Sequence, residues 1–396
     1  MIDRIISNLE ERRERILSGE VNCIPSSFTR FRDDFVGVEQ GKFYLISAST
    51  KGGKTQLTSK MFVYDPLFYA YNNPDKIHLK IFYFPLEESV ENITLRFMSH
   101  LLAKLSKDTI RIAPLDLKST NENKPVPKEV LDLLKTEEYQ KLLKFYEETV
   151  LFFEDRNPSG IYRQIKSYAD KNGITHKKKI TITNKETGDS EEREVFDYYE
   201  PFDPKEYVII ITDHVGMLNQ EQGLDLRECI NRHSEYMILF RNRYNYTPVN
   251  IQQQNLETIG LEAFKANKIR PTMAGLADSK NPGKDCSMML GITNPYSHEI
   301  NNYLGYDISK FKGNIRFLEV VLNREGQSNG IIALYFDGKT CTFKELPPPT
   351  DREALEKVYK YLESIRGKTN KVFMWFNKLK FKIDGTTNKK KRSTEL

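Results

Sequence analysis

Eight consecutive residues, Ala48-Ser49-Thr50-Lys51-Gly52-Gly53-Lys54-Thr55, constrain this chain more than any other stretch. The apolar run Phe43-Tyr44-Leu45-Ile46-Ser47 precedes them, and Gln56 to Phe62 follows with a helix-compatible composition. Strand, glycine-rich loop, Gly-Lys-Thr and helix is the order of a loop that wraps the phosphates of a nucleotide. The backbone N–H groups of such a loop and the start of the helix after it attract an anion. Lys54 is expected to reach the β- and γ-phosphates, and Thr55 to offer its hydroxyl to Mg²⁺. Ala48 stands where the strict pattern has glycine.

The 396 residues are 39% hydrophobic and 29% charged, a balance suited to a globular α/β protein with a large core. No apolar stretch approaches the ~20 residues that a membrane-spanning helix needs, and Met1-Ile2-Asp3-Arg4 does not begin a secretory signal. Cys23, Cys229, Cys286 and Cys341 form neither a metal-binding spacing nor a disulfide framework. A reducing, cytoplasmic setting is therefore expected. A formal charge of +5 permits a polyanionic partner without requiring one.

From residue 40 onward, short apolar runs alternate with longer helical segments, the pattern of a mainly parallel sheet flanked by helices. The strand candidates are 42–47, 80–84, 150–154, 207–212, 249–253, 287–293, 315–321 and 331–336. Several are continuous apolar runs, as expected for strands buried on both faces. Residues 1–38 read as an N-terminal helix and lead-in, 39–348 as the α/β core that holds the glycine-rich loop and 349–396 as a C-terminal extension. Ile5, Ile6, Leu9, Ile16 and Leu17 form a thin apolar stripe on that first helix, which suits either an exposed helix or one docked on a neighbouring subunit. Pro114 to Lys135 reads as a surface loop leading into a helix. An insertion at about 175–203 reads as a β-hairpin, either a solvated ornament or an arm for DNA or a partner. The extension is expected to begin as a helix from Arg352 to Arg366. It continues through the apolar cluster Lys371-Val372-Phe373-Met374-Trp375-Phe376 to the basic tail Asn388-Lys389-Lys390-Lys391-Arg392.

Two carboxylate segments complete the chemistry. In Tyr207-Val208-Ile209-Ile210-Ile211-Thr212-Asp213-His214, an apolar strand ends in an aspartate. In an open α/β sheet that edge binds ligands, and an aspartate there holds Mg²⁺, often through water. The strand 80–84 leads into Pro85-Leu86-Glu87-Glu88-Ser89 at the same edge. A carboxylate there can orient and deprotonate an attacking water, and spacing does not choose between Glu87 and Glu88.

Taken in order, these segments resemble the ATPase domain of the DnaB-type replicative helicases, within the RecA-like superfamily. Ile24-Pro25-Ser26-Ser27-Phe28 resembles that family's lead-in, and alanine is common at its first loop position. Phe84-Pro85-Leu86-Glu87-Glu88-Ser89 resembles the family's Phe-Ser-Leu-Glu-Met-Ser, which assigns the catalytic carboxylate to Glu87. Thr212-Asp213-His214-Val215-Gly216-Met217 resembles its Walker B segment. Pro248 to Gln254 resembles the strand ending in a polar sensor, taken as Gln254. Residues Arg270 to Ser279 resemble the loop that lines the ring's channel and touches single-stranded DNA. By that resemblance Ala277, Asp278, Ser279, Lys280 and Lys284 are the candidate DNA contacts. Val321-Leu322-Asn323-Arg324-Glu325-Gly326 resembles Lys-x-Arg-x-Gly, which makes Arg324 an arginine finger for a neighbouring subunit, with Leu322 where the family has lysine.

The resemblance implies a RecA-like P-loop core using ATP and Mg²⁺. It also implies a homo-oligomeric ring, expected as a hexamer, that moves on single-stranded DNA and meets a primase or loader. With about forty residues before the phosphate loop, a minimal motor is expected, of the kind a phage or mobile element carries into its host's cytoplasm. Competing expectations are a RecA-like recombination ATPase, a DNA-packaging motor and a nucleotide-binding replisome scaffold with little turnover.

Overall fold

The apolar runs become strands because they bury both faces at once. In chain order, nine strands form one sheet: β1 (Tyr44–Ala48), β2 (His78–Pro85), β3 (Val150–Phe152), β4 (Glu206–Asp213), β5 (Thr247–Gln253), β6 (Met288–Thr293), β7 (Ile315–Asn323), β8 (Ile331–Asp337) and β9 (Thr342–Glu345). They lie in the order β9-β8-β7-β6-β1-β5-β4-β2-β3. The six strands from β6 to β3 are parallel, and β7, β8 and β9 continue the sheet antiparallel. Eight of the nine occupy segments expected from the sequence. The ninth, β9, escapes that pattern because its four residues include only one apolar side chain, Phe343. This computed structural model describes residues 2–183, 190–255, 269–328 and 330–364. The expected hairpin turn, residues 256–268 ahead of the channel loop, and everything after Ser364, including the apolar cluster and basic tail, lie outside the described residues.

Strand alternation sorts the core into two layers. Ile209 and Ile211 of β4 face one cluster, which also holds Leu57, Phe62, Phe97 and Tyr146. Val208 and Ile210 face the other, with Ile161, Ile165, Met237 and Phe240. Helices Val90–Leu105 and Glu137–Thr149 cover the first layer, and Pro158–Asn172 and Leu226–Tyr244 the second. A third cluster forms beyond β7, where Leu355, Val358 and Tyr359 of helix Arg352–Ser364 meet Ile315, Phe317 and Tyr335. No described helix is long and apolar enough to cross a membrane.

The lead-in packs into the first core layer through Ile24, Phe28, Phe31 and Val38. Cys23–Pro25 pairs antiparallel with Gly37–Glu39 around helix Thr29–Phe35. Any side chain at residue 37 would lie 2.0 Å from the Ile24 carbonyl, so only glycine closes this ribbon. Ile2–Leu17 forms a helix whose Ile2, Ile5, Ile6, Leu9, Ile16 and Leu17 are all exposed.

The insertion is a hairpin of Gly173–Thr183 and Ser190–Pro201. Its basic run is balanced across the strands: Lys177, Lys178 and Lys179 pair with Glu194, Asp197 and Glu192 at 3.5, 3.0 and 3.4 Å. Phe196 and Tyr199 anchor its base against Tyr244. Balanced charge favours the solvated ornament over the DNA arm.

Candidate nucleotide site

The C-terminal ends of β1, β5, β4 and β2 lie side by side: Ala48 is opposite Gln253, Pro85 is opposite Asp213, and Thr212 is opposite Asn250, so β4 and β2 stop two residues short of β1 and β5. The glycine-rich loop leaves β1 at this edge and enters the helical segment that begins with Lys54–Thr58. That segment continues through a π turn, Ser59–Tyr64, into Asp65–Asn72. Two left-handed residues shape the loop, Lys51 (φ 59°) and Gly53 (φ 102°). At Gly52 a Cβ would lie 2.8 Å from the Ala48 methyl, so this glycine is required by close approach.

Lys54 is buried at the mouth of the loop. Burial lowers its pKa, while the nearby Glu87 and Asp213 carboxylates push it back up. The Thr55 hydroxyl donates to Asp213 Oδ1 at 3.3 Å, and the Tyr83 hydroxyl donates to Oδ2 at 2.9 Å. Asp213 is 3% exposed, and burial pushes its carboxyl up to about 6 against these two stabilising hydrogen bonds. Among the described residues no cation makes ion-pair contact with this buried carboxylate, and a threonine hydroxyl lies beside it, an arrangement that suits a hard dication. The 3.3 Å between the two oxygens is close to the edge of about 2.9 Å expected for an octahedron of roughly 2.0–2.1 Å Mg–O bonds. Thr55 and Asp213 thus fit Mg²⁺, directly or through water.

The two candidate glutamates separate in space. Leu86 and Glu87 donate their backbone N–H groups to the Asp213 carbonyl, at 2.7 and 3.2 Å, which fixes the turn after β2 to the end of β4. The Glu87 side chain then lies open at the sheet edge, with Oε2 3.6 Å from His214 Nε2. Glu88 instead pairs with Arg96 on the helix that follows. Burial lowers the His214 pKa, Glu87 raises it, and Lys54 lowers it again.

Two expected roles meet a different geometry. Gln254 does not face the phosphate side. Its amide nitrogen donates to Ser47 Oγ (2.8 Å) and the Thr272 carbonyl (3.0 Å), and its oxygen accepts from the Thr272 N–H (3.2 Å). Its neighbour Gln253 points the other way, with Nε2 3.4 Å from His214 Nε2. The cause is strand alternation, which turns adjacent side chains to opposite faces. Ser279 is likewise turned away from a DNA strand, being buried and donating to Asn231 Oδ1 at 2.6 Å. Ala277 is half-buried, and its carbonyl and that of Ser279 accept from Gln252 Nε2 at 2.5 and 2.7 Å. Asp278 (φ 61°), Lys280 and Lys284 are exposed. Lys280 Nζ bonds to the Leu276 carbonyl.

Arg324 lies at the opposite end of the sheet from the phosphate loop. Asn323 pairs with Met288, which pairs with Tyr44 at the start of β1, whereas the loop follows Ala48. Four residues of strand put at least ~13 Å between Arg324 and its own loop. Its guanidinium donates to the carbonyls of Cys286 (2.9 Å) and Lys284. Leu322, where the resemblance has lysine, packs into the second core layer.

Sequence reasoning misses Tyr83, His214, Gln253 and Arg316. Arg316 has a visible signal, as the one charged residue in the run Ile315-Arg316-Phe317-Leu318. The others have none, since their relevance comes from strands that are distant in sequence.

No family model and no curated protein matches the sequence. Among solved structures, the chain is similar to a helicase ATPase domain, with 15% identity and a TM-score of 0.58 over 88% of this chain and 99% of that one. It is also similar to a DnaB-like replicative helicase whose structure was described with its interactions with primase. That match has 14% identity and a TM-score of 0.56 over 87% of this chain and 66% of that one. These likenesses show the fold alone: an α/β core with a mostly parallel central sheet flanked by helices, like that of these ATPase domains and as expected from the sequence.

Proposed function

We propose that this protein is an ATP-driven ring helicase that translocates on single-stranded DNA, serving replication. One observation carries the reading. The phosphate loop, the Thr55–Asp213 pair and Glu87 converge at one sheet edge, while the candidate finger Arg324 lies at the other. A site so divided is completed by a second copy of the chain.

In this mechanism the loop N–H groups from Ser49 to Thr55 and the Lys54 ammonium hold the phosphates of ATP. Thr55 and Asp213 would hold Mg²⁺, which would supply positive charge to the phosphoryl oxygens. Glu87 orients the attacking water and draws its proton. Neutral His214 sits between Glu87 and Gln253 and keeps both at the water's side of the site. The sensor role passes from Gln254 to Gln253. Gln254 and Gln252 serve instead as anchors, tying the ends of β1 and β5 to the channel-loop residues at 272, 277 and 279. Arg324 of one subunit stabilises the transition state in its neighbour, a contribution of ~10³ to 10⁵ in rate.

Lys280 and Lys284, with Asp278 and Ala277, form the base of the DNA-contacting loop. Binding there is electrostatic and salt-dependent. The exposed apolar stripe of helix Ile2–Leu17 docks on the adjacent subunit in the ring, proposed as a hexamer. Primase or a loader would meet the assembled ring. The domain limits proposed from the sequence, 1–38, 39–348 and 349–396, accompany this reading.

The test is DNA-stimulated ATP hydrolysis and fork unwinding, comparing wild type with Lys54→Ala. Polarity-specific unwinding with single-strand-stimulated turnover supports a helicase. Turnover without unwinding of either fork polarity favours a recombination ATPase. A second reading, a nucleotide-binding scaffold, is favoured by Leu322, which removes one trans cation. Wild type hydrolysing no faster than Lys54→Ala selects that reading and refutes the motor.

A further inference from the structure

Arg316 lies on β7 directly behind the phosphate loop. It is 6% exposed. Its Nε donates to the Gly52 carbonyl at 2.9 Å, and Nη1 donates to the carbonyls of Gly313 and Ile315 at 2.6 and 2.8 Å. The Phe336 ring centre lies 4.9 Å from its guanidinium carbon. A Cβ placed on Gly53 would lie 3.6 Å from Nε, so the charge abuts the loop itself.

Two other sheltered arginines have acidic partners. Arg111 pairs with Asp108 and Asp337, and Arg96 pairs with Glu88. Arg316 forms no ion pair among the described residues. Burial alone pushes its pKa down to about 10, with no charged neighbour offsetting it. An uncompensated buried cation is costly, so its presence calls for a ligand-side explanation.

Peptide geometry supplies half of one. The C=O of Gly52 and the N–H of Gly53 belong to one planar trans peptide and point in opposite directions. Arg316 fixes the direction of that carbonyl through its hydrogen bond. The Gly53 N–H is thereby held facing the opposite way, where a phosphate oxygen cradled by the loop would accept it. Charge supplies the other half, because a polyphosphate in the loop is the counter-ion that Arg316 lacks.

We propose that Arg316 is a positioning residue of the nucleotide site, acting within its own subunit by fixing the Gly52–Gly53 peptide and by lending unpaired positive charge to the bound polyphosphate. This deepens the ATP-site reading and rests on it. Arg316 complements Arg324: the first conditions the loop from behind in cis, and the second completes the site from the neighbour.

The experiment is equilibrium titration of the full-length protein with ATP and ADP, together with nucleotide-free thermal unfolding, for wild type, Arg316→Lys and Arg316→Gln. Loss of a charged hydrogen-bonding group predicts about tenfold weaker nucleotide binding for the Gln variant. The Lys variant keeps the charge without the fork and should fall between Gln and wild type. Nucleotide-free midpoints should stay within about 2 °C of wild type, because removing an unpaired buried charge offsets the lost bonds. In steady-state hydrolysis, KM should rise while kcat changes less than about threefold.

Wild-type affinity in the Gln variant overturns the proposal. So does weaker binding that tracks an equal loss of nucleotide-free stability in both variants, the mark of a purely structural residue. Should the Gln variant fail to fold, a Lys variant binding as wild type does overturns it as well. Wild type binding neither nucleotide overturns the underlying site reading, a result distinct from the others.

Discussion

Asp213→Asn separates what the nucleotide site needs from what the fold prefers. The Asp213 carboxyl is 3% exposed and pushed up to about 6 from an ordinary 3.8. Burial is the main cause, with the Tyr83 and Thr55 hydroxyls only partly restoring the charged form. A raised carboxyl pKa means that the folded state binds the proton more tightly than the unfolded chain. Its stability contribution is full below pH ~3.8 and is lost as pH rises through about 6. Each tenfold in proton affinity is worth ~1.4 kcal/mol, so the ionised carboxylate costs the nucleotide-free fold about 3 kcal/mol at pH ~8. Asparagine imitates the protonated acid and removes that cost. A 396-residue chain unfolds with an entropy of roughly 0.8 kcal/mol/K, so the gain corresponds to about 4 °C.

The assay is unfolding without nucleotide in EDTA, at pH values of about 8, 5 and 4. Asp213→Asn should be more stable than wild type by about 3 kcal/mol at the highest pH, by about half that at the middle one and by under ~1 kcal/mol at the lowest. The same variant should lose the Mg²⁺-dependent part of ATP binding. A variant less stable than wild type at the highest pH, or a gap that ignores pH, refutes the claim that Asp213 is a strained carboxylate kept for a cation.

Glu87→Gln should retain ATP binding and lower turnover by ~10² to 10⁴, whereas Glu88→Gln should keep turnover and lose about 1–3 kcal/mol of stability with its Arg96 partner; equal turnover losses in hydrolysis assays would reverse the assignment. Gln253→Ala should weaken DNA-stimulated hydrolysis in a well-folded protein, while Gln254→Ala should cost about 1–3 kcal/mol of stability in urea unfolding through its three lost bonds. Lys54→Ala and Arg324→Ala subunits, each inactive alone, should regain partial hydrolysis when mixed; no recovery in co-assembled rings would exclude Arg324 as a trans group. Lowering salt should tighten single-strand binding, and Lys280→Ala with Lys284→Ala should flatten that salt slope, as read by fluorescence anisotropy.

The segments whose meaning is local were legible in the sequence. A glycine-rich turn before Lys54 and Thr55 is dictated by backbone sterics within eight residues. A strand such as β4, buried on both faces, must be apolar along most of its length, so eight of the nine sheet strands were visible and only the short, polar β9 was hidden. Tertiary structure decided which way each side chain points and what it meets. Gln253 and Gln254 are chemically identical neighbours, and only the pleat and the sheet order β1-β5-β4 send one to His214 and the other to Thr272. Ser279 reads as a loop residue until Asn231, on a helix nearly fifty positions earlier, buries it. Arg316 reads as a lone charge in a strand until β7 is carried past β6 to the back of the phosphate loop. Local sequence governs backbone conformation and burial pattern because both are short-range. Hydrogen bonds and charge pairing join residues far apart along the chain, so they exist only once the sheet has set its neighbours.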